Sequence, residues 1–160
     1  MLCKNEIAIA LSYDHKPQNA AEKERIENAG GTVSENRVDG NLALSRALGD
    51  FEYKSNSQKS RAEQKVTADP DITETDLTDD CRFVVLACDG IWDVKSSQEC
   101  VDFLNTKIYS APASKTNPAA AIKKGLEELL DHSCAEDTHT SDGLGTDNMT
   151  VVLVELKPRK

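Results

Sequence analysis

Aromatic residues are scarce here: three Phe, three Tyr and one Trp make 4% of 160 residues, and apolar residues in all make 38%. Any core is therefore lean. Positive charge is also short, with 19 Lys and Arg against 28 Asp and Glu and a formal net charge of −9. That balance argues against non-specific binding to nucleic acid or to an anionic membrane, both of which need basic patches. No apolar run approaches the roughly 20 residues that span a bilayer. Met1 is followed by Leu-Cys-Lys-Asn-Glu, without the basic, apolar and small-residue regions of a secretory signal. The five cysteines (Cys3, Cys81, Cys88, Cys100 and Cys134) are odd in number and have no C-x-x-C spacing. Free thiols in a reducing compartment, cytoplasmic or nuclear, are expected rather than disulfides or zinc.

What is present fits one domain over residues 1–160, since domains commonly run about 100–200 residues. Two strands stand out: Cys81–Cys88, and the closing run Met149–Leu156. A further strand is expected within Cys3–Ser12, around Ile7–Leu11. Asn19 and Glu22 have the spacing of a capping box ahead of a helix that Gly30-Gly31 would stop. Asp39-Gly40, between Thr32–Val38 and Leu42–Ser45, reads as a hairpin turn. Residues 52–64 are polar without a period and are expected to be exposed and mobile. Val66–Ile72 reads as an edge strand broken by Pro70. Ser96 and Glu99 form a second capping box, followed by Val101, Leu104 and Ile108 at helical spacing. Asn117-Pro118 opens a third helix whose apolar face would be Ala119, Ile122, Leu126 and Leu129/Leu130. Hairpins mixed with grouped helices predict an α+β fold with mainly antiparallel sheets.

Chemistry concentrates on Asp89, which ends the first strong strand, and Asp147, which precedes the second. If the two are antiparallel neighbours, the C-end of one lies beside the N-end of the other. Both carboxylates would then sit at one sheet edge, a hard-oxygen donor pair suited to Mg²⁺ or Mn²⁺. By itself, Asp-Gly after a strand is usually only a turn. Asp93 is expected to be solvated or to hydrogen-bond behind the ligands, and Asn148 either to orient Asp147 or to make an Asx turn. Arg46 and Asp50 bracket a turn where a salt bridge is the default reading. His132, Cys134 and His139 lack a fourth zinc ligand, and Trp92 reads as a core anchor. The loop 135–148 does not have EF-hand spacing.

The segments DHKP (Asp14–Pro17), EKERIENAGG (Glu22–Gly31), SRALGDFEYK (Ser45–Lys54), ACDGIWDV (Ala87–Val94) and DNMTVVLV (Asp147–Val154) occur in that order. Together they closely resemble the C-terminal half of the metal-dependent protein serine/threonine phosphatases, the PPM family (type 2C). The resemblance implies part of a sandwich of two antiparallel β-sheets flanked by helices. It also implies a binuclear Mn²⁺ or Mg²⁺ centre that hydrolyses phosphoserine and phosphothreonine with a metal-activated water. By motif, Asp89 and Asp147 match metal ligands, and residues 52–64 match a flap-like segment. The family's N-terminal ligands, a Glu-Asp pair and an Asp-Gly-His-Gly-Gly stretch, are absent from this sequence. The chain is thus expected to be a fragment that is incomplete for catalysis, with phosphoproteins as substrates. Its missing half or a partner would sit at exposed sheet edges. A non-catalytic phosphatase-like binding or scaffold module is the alternative expectation.

Overall fold

The computed structural model describes residues 1–110 and 116–156. Two compact units form, one from Met1–Ser12 with Thr75–Lys160 and the other from Tyr13–Glu74.

The first unit is built on a four-stranded antiparallel sheet. Its strands are β1 (Leu2–Lys4), β2 (Ile7–Ile9), β5 (Cys81–Ala87) and β6 (Val151–Glu155), in the order β2-β1-β5-β6. The single strand expected over Cys3–Ser12 is instead a hairpin, with Lys4 paired to Ile7. Asn5 and Glu6 make its turn at φ of 50° and 64°. Neither is glycine, which is why the turn escapes a search for the usual Asn-Gly or Asp-Gly signal. Along β5 the residues alternate. Cys81, Phe83 and Val85 are buried, whereas Leu86 is exposed.

The helices of this unit are α2 (Asp89–Trp92), α3 (Ser97–Leu104) and α4 (Pro118–Ser133), with one π turn, Asn105–Tyr109, continuing α3. The Ser96–Glu99 capping box forms in full, each side chain bonding the other residue's backbone N–H. Asn117 caps α4 by accepting from the Ala120 N–H at 3.2 Å, with Pro118 as the first helical residue. Val101, Leu104 and Ile108 pack with Phe83, Val85, Cys3, Cys100, Ala121 and Leu129 in one core. The buried stripe of α4 is Ala121, Gly125, Leu129 and Ser133, while Ala119 is exposed. Of the expected face, Leu129 is buried and Ile122 and Leu126 pack partly buried against the core, so the buried stripe is shifted from that face rather than replaced. Its centre is Gly125, where a Cβ would run into the Ile108 side chain. The helix can approach the π turn that closely only without a side chain there.

The second unit holds α1 (Ala20–Asn28), the two-residue strands β3 (Val33–Ser34) and β4 (Arg37–Val38), and a 3₁₀ turn, Phe51–Lys54. Helix α1 stops as expected. Gly30, at φ 85°, donates to the Glu27 carbonyl, and Gly31 donates to Ile26, both at 2.9 Å. These bonds complete a Schellman motif. The expected capping box at the other end does not form, because Asn19 makes no side-chain cap and Glu22 is buried. Glu22 instead accepts from Arg46 at 2.6 Å and from Ser45 and Arg25 at 2.7 Å each. Burial raises the Glu22 pKa, but the bonds from Arg46, Ser45 and Arg25 outweigh it and hold the group down to about 2. Arg46 also reaches Asp71 at 2.8 Å, so its salt bridges are not to Asp50, which lies at φ 50° ahead of the 3₁₀ turn. His15 pairs with the same Asp71 at 2.9 Å.

Two further expectations change in this unit. The β3–β4 hairpin turns at Glu35 and Asn36, and the Asp39-Gly40 turn is followed only by an isolated Val38–Leu42 bridge. Val66–Ile72 makes a single bridge, Arg46–Thr67, rather than a strand. The polar stretch 52–64 is mostly exposed but tied together from within. Buried Gln64 accepts from the Asn56 N–H at 3.0 Å and donates to the carbonyls of Asn56 and Lys59 at 2.8 and 3.0 Å. Tyr53 joins Ile26, Val38 and Val66 in the unit's small core.

Candidate metal centre

Strand β5 ends at Ala87, opposite Val151 at the start of β6. The antiparallel register therefore sets the chain leaving β5 beside the chain entering β6. Cys88, with φ −80° and ψ 175°, bends out of the strand, and Asp89 opens the single turn of α2. The Asp89 carboxylate is exposed and accepts from the Gly90 N–H at 3.1 Å. On the facing segment Asp147 is also exposed and accepts from the Asn148 N–H at 2.6 Å.

The residues around these acids are in contact. Cys88 donates its N–H to the Thr150 carbonyl at 3.2 Å. A Cβ on Gly90 would lie 2.5 Å from the Asn148 carbonyl oxygen, so the two turns meet backbone to backbone. Both acids thus occupy one end of the β5–β6 pair, on turns that touch. Asp93 ends α2 with its N–H on the Asp89 carbonyl at 2.8 Å, and its side chain is exposed. Asn148 makes its contacts here through its backbone N–H and carbonyl. Trp92 anchors the turn from below. Its indole N–H donates to the Ala87 carbonyl at 2.9 Å, and its ring packs on the main core.

Sequence reasoning passed over Cys88, Gly90 and Thr150. The glycine had a signal, its place directly after Asp89, but nothing in the sequence shows what approaches it. Away from this edge, His132 meets the Phe103 ring edge-on, with centroids 5.4 Å apart. Cys134 is one of five free thiols.

The donor set suits a hard divalent cation in type but is small in number. Two carboxylates stand at the edge, each accepting from the backbone N–H of the residue that follows it. Among the described residues no three His, Cys, Asp or Glu side chains converge as a metal-binding group. Mg²⁺ commonly uses one or two protein carboxylates, completing its shell with water and substrate phosphate. Asp89 and Asp147 fit that role as part of a larger set.

The Protein phosphatase 2C family model matches residues 1–141. Relatives agree. The chain is 46% identical over 157 residues to "Probable protein phosphatase 2C 3" of Paramecium tetraurelia, covering 98% of this chain and 50% of that protein. It is 52% identical over 150 residues to "Protein phosphatase 2C homolog 3" of Schizosaccharomyces pombe, covering 94% and 34%. Against human "Protein phosphatase 1G" it is 48% identical over 153 residues, covering 95% and 28%. The crystal structure of a Toxoplasma gondii phosphatase superposes with a TM-score of 0.74 at 30% identity, covering 98% of this chain and 46% of that one. The chain spans half or less of the length of each of these proteins. From its matching motifs, its fold and these likenesses, the chain belongs to the protein phosphatase 2C family.

Proposed function

We propose that the chain is part of the catalytic domain of a metal-dependent protein serine/threonine phosphatase. In this reading Asp89 and Asp147 are two of its metal ligands. The observation that carries the reading is the β5–β6 register, which pairs Ala87 with Val151 and so brings the two acids' turns together. The ion is Mg²⁺ or Mn²⁺, which the hard oxygen donors of two carboxylates suit. When bound, it supplies positive charge for phosphoryl oxygens and acidifies a water for attack on phosphorus. The chain's own residues hold and orient. Asp89 and Asp147 supply oxygen donors, and Trp92 holds the α2 turn that carries Asp89. Asp93 and Asn148 support the two acids from neighbouring positions.

The substrates are phosphoproteins carrying phosphoserine or phosphothreonine, and the free thiols favour a cytoplasmic or nuclear setting. Leu86, Val152 and Val154 leave an apolar sheet face about half exposed, where further polypeptide can pack. No helix among the described residues is long and apolar enough to cross a membrane.

The test is phosphate release from a phosphothreonine peptide by the complete parent protein with Mn²⁺. Asp89→Asn and Asp147→Asn are each expected to lower turnover about 100-fold or more, at or beyond the upper end of what losing a residue that merely orients a metal ligand costs. Unchanged turnover in both variants refutes the ligand assignment. The small donor set favours a second reading for this chain by itself, a phosphatase-like binding module. Mn²⁺-dependent hydrolysis of p-nitrophenyl phosphate by the isolated chain would exclude it.

A further inference from the structure

The last rung of the β5–β6 ladder departs from the regular pattern. An antiparallel hydrogen-bonded pair exchanges two backbone bonds. Cys88 makes the first, from its N–H to the Thr150 carbonyl. The Cys88 carbonyl, however, is turned into α2, where it accepts from Ile91 at 3.1 Å and Trp92 at 3.4 Å. The Thr150 N–H therefore donates to Cys88 Sγ, at 3.1 Å. The same thiol donates to the Asn148 carbonyl at 3.3 Å.

A thiol is a weak donor and a weak acceptor, and here both capacities are used on one short segment. The Cys88 side chain makes no cap bond to α2, so its polar contacts are with the lead-in to β6. Residues 88 and 90, on either side of Asp89, both engage Asn148, the residue next to Asp147. One does so through sulfur and the other by having no side chain.

We propose that Cys88 is a positioning residue for the metal edge. Its thiol stands in for the carbonyl withdrawn into α2 and locks the 147–150 segment against the turn that carries Asp89. This lock sets the separation of the two carboxylates. The inference rests on the reading of Asp89 and Asp147 as ligands, and its test separates the two. Cys88 neither touches substrate nor acts as a nucleophile. Replacing it with a group that cannot hydrogen-bond leaves the Thr150 N–H and the Asn148 carbonyl to water, and the 147–150 segment gains freedom.

The experiment compares Cys88→Val, Cys88→Ala and Cys88→Ser in the complete parent protein. It reads Mn²⁺ affinity by electron paramagnetic resonance of the free ion, Thr150 amide exchange by NMR, and Tm. Valine and alanine are expected to abolish protection of the Thr150 amide and to weaken Mn²⁺ binding about tenfold, the usual range for residues that orient ligands. Serine, which keeps a donor and an acceptor, should retain both properties, with Tm close to that of the parent in all three. Alanine adds no bulk and serves if valine unfolds the chain. Mn²⁺ affinity indifferent to valine and alanine overturns the positioning role alone. So does an equal loss in serine, or a loss that merely follows a collapse in Tm. Absence of Mn²⁺ uptake by the unsubstituted parent protein overturns the ligand reading itself, and the positioning role with it.

Discussion

The carbonyl oxygen of Asn148 lies where a side chain on Gly90 would begin, 2.5 Å from an ideal Cβ. Gly90 is buried and is not among the residues with positive φ, so glycine is needed there for close approach rather than for backbone freedom. The contact joins the turn after β5 to the segment before β6, the two that carry Asp89 and Asp147.

Gly90→Ala is accordingly expected to force these turns apart. A backbone carbonyl cannot rotate away as a side chain can, so an overpacking cost of about 1–3 kcal/mol is expected. Urea unfolding should show a lower midpoint at unchanged slope. Weaker Mn²⁺ binding should accompany it.

Gly125→Ala tests the packing of α4. The new methyl meets the buried Ile108 side chain, and a loss of about 1–3 kcal/mol is expected. Shortening the neighbour should relieve it. In a double-mutant cycle, Gly125→Ala with Ile108→Ala, which removes the Cγ1 and Cδ1 atoms that crowd the new methyl, should cost less than the sum of the two single changes, by about 0.5 kcal/mol or more. Strict additivity would show that the two do not press on one another.

The buried Glu22 gives the Tyr13–Glu74 unit an acid limit. Its pKa is held down from 4.5 to about 2 by Arg46, Ser45 and Arg25 against the effect of burial. A depressed carboxyl stabilises the fold above its unfolded pKa, and that contribution is lost as pH falls from about 4.5 through about 2. Glu22→Gln should remove this segment of the pH dependence. At neutral pH it should destabilise the unit by on the order of 2–3 kcal/mol, because charged hydrogen bonds to Arg25 and Arg46 are lost. Denaturant titrations near pH 7 and pH 3 check both points, and a variant with the parent's acid dependence would count against Glu22.

Mn²⁺ should stabilise the chain by mass action. At ten times its Kd an ion that binds only the folded state adds about 1.4 kcal/mol, and EDTA should reverse the gain. Asp147→Asn should abolish the rise in Tm without greatly lowering the metal-free value, since the Asp147 carboxylate is exposed. A rise that persists in both Asp89→Asn and Asp147→Asn places the ion elsewhere.

Much of the fold was legible where local rules agree with tertiary demand. The strands around Phe83 and Leu153, the Ser96–Glu99 box and the Asn117-Pro118 helix start form as their patterns predict. Patterns misled where a distant group intervened. Asn19 and Glu22 have capping-box spacing, yet Arg46 and Ser45 draw the Glu22 carboxylate into a buried ion cluster. Leu42–Ser45 and Val66–Ile72 have strand-like composition, but only isolated bridges form there. In helix α4 the expected Ile122, Leu126 and Leu129 do meet the core, but the pattern did not show that Gly125 lies among them against Ile108.

The candidate site divides in the same way. Asp89 and Asp147 could be named from the sequence because each adjoins a strong apolar run, and such runs become strands wherever a core exists to receive them. What only the tertiary structure decided is how their turns are held together: the β5–β6 register, the bare Cα of Gly90, and the Cys88 thiol between Asn148 and Thr150. Those contacts depend on which backbone groups are already spent in α2. Hydrogen-bond partnership of that kind is a property of the assembled chain and leaves no periodicity in the residues themselves.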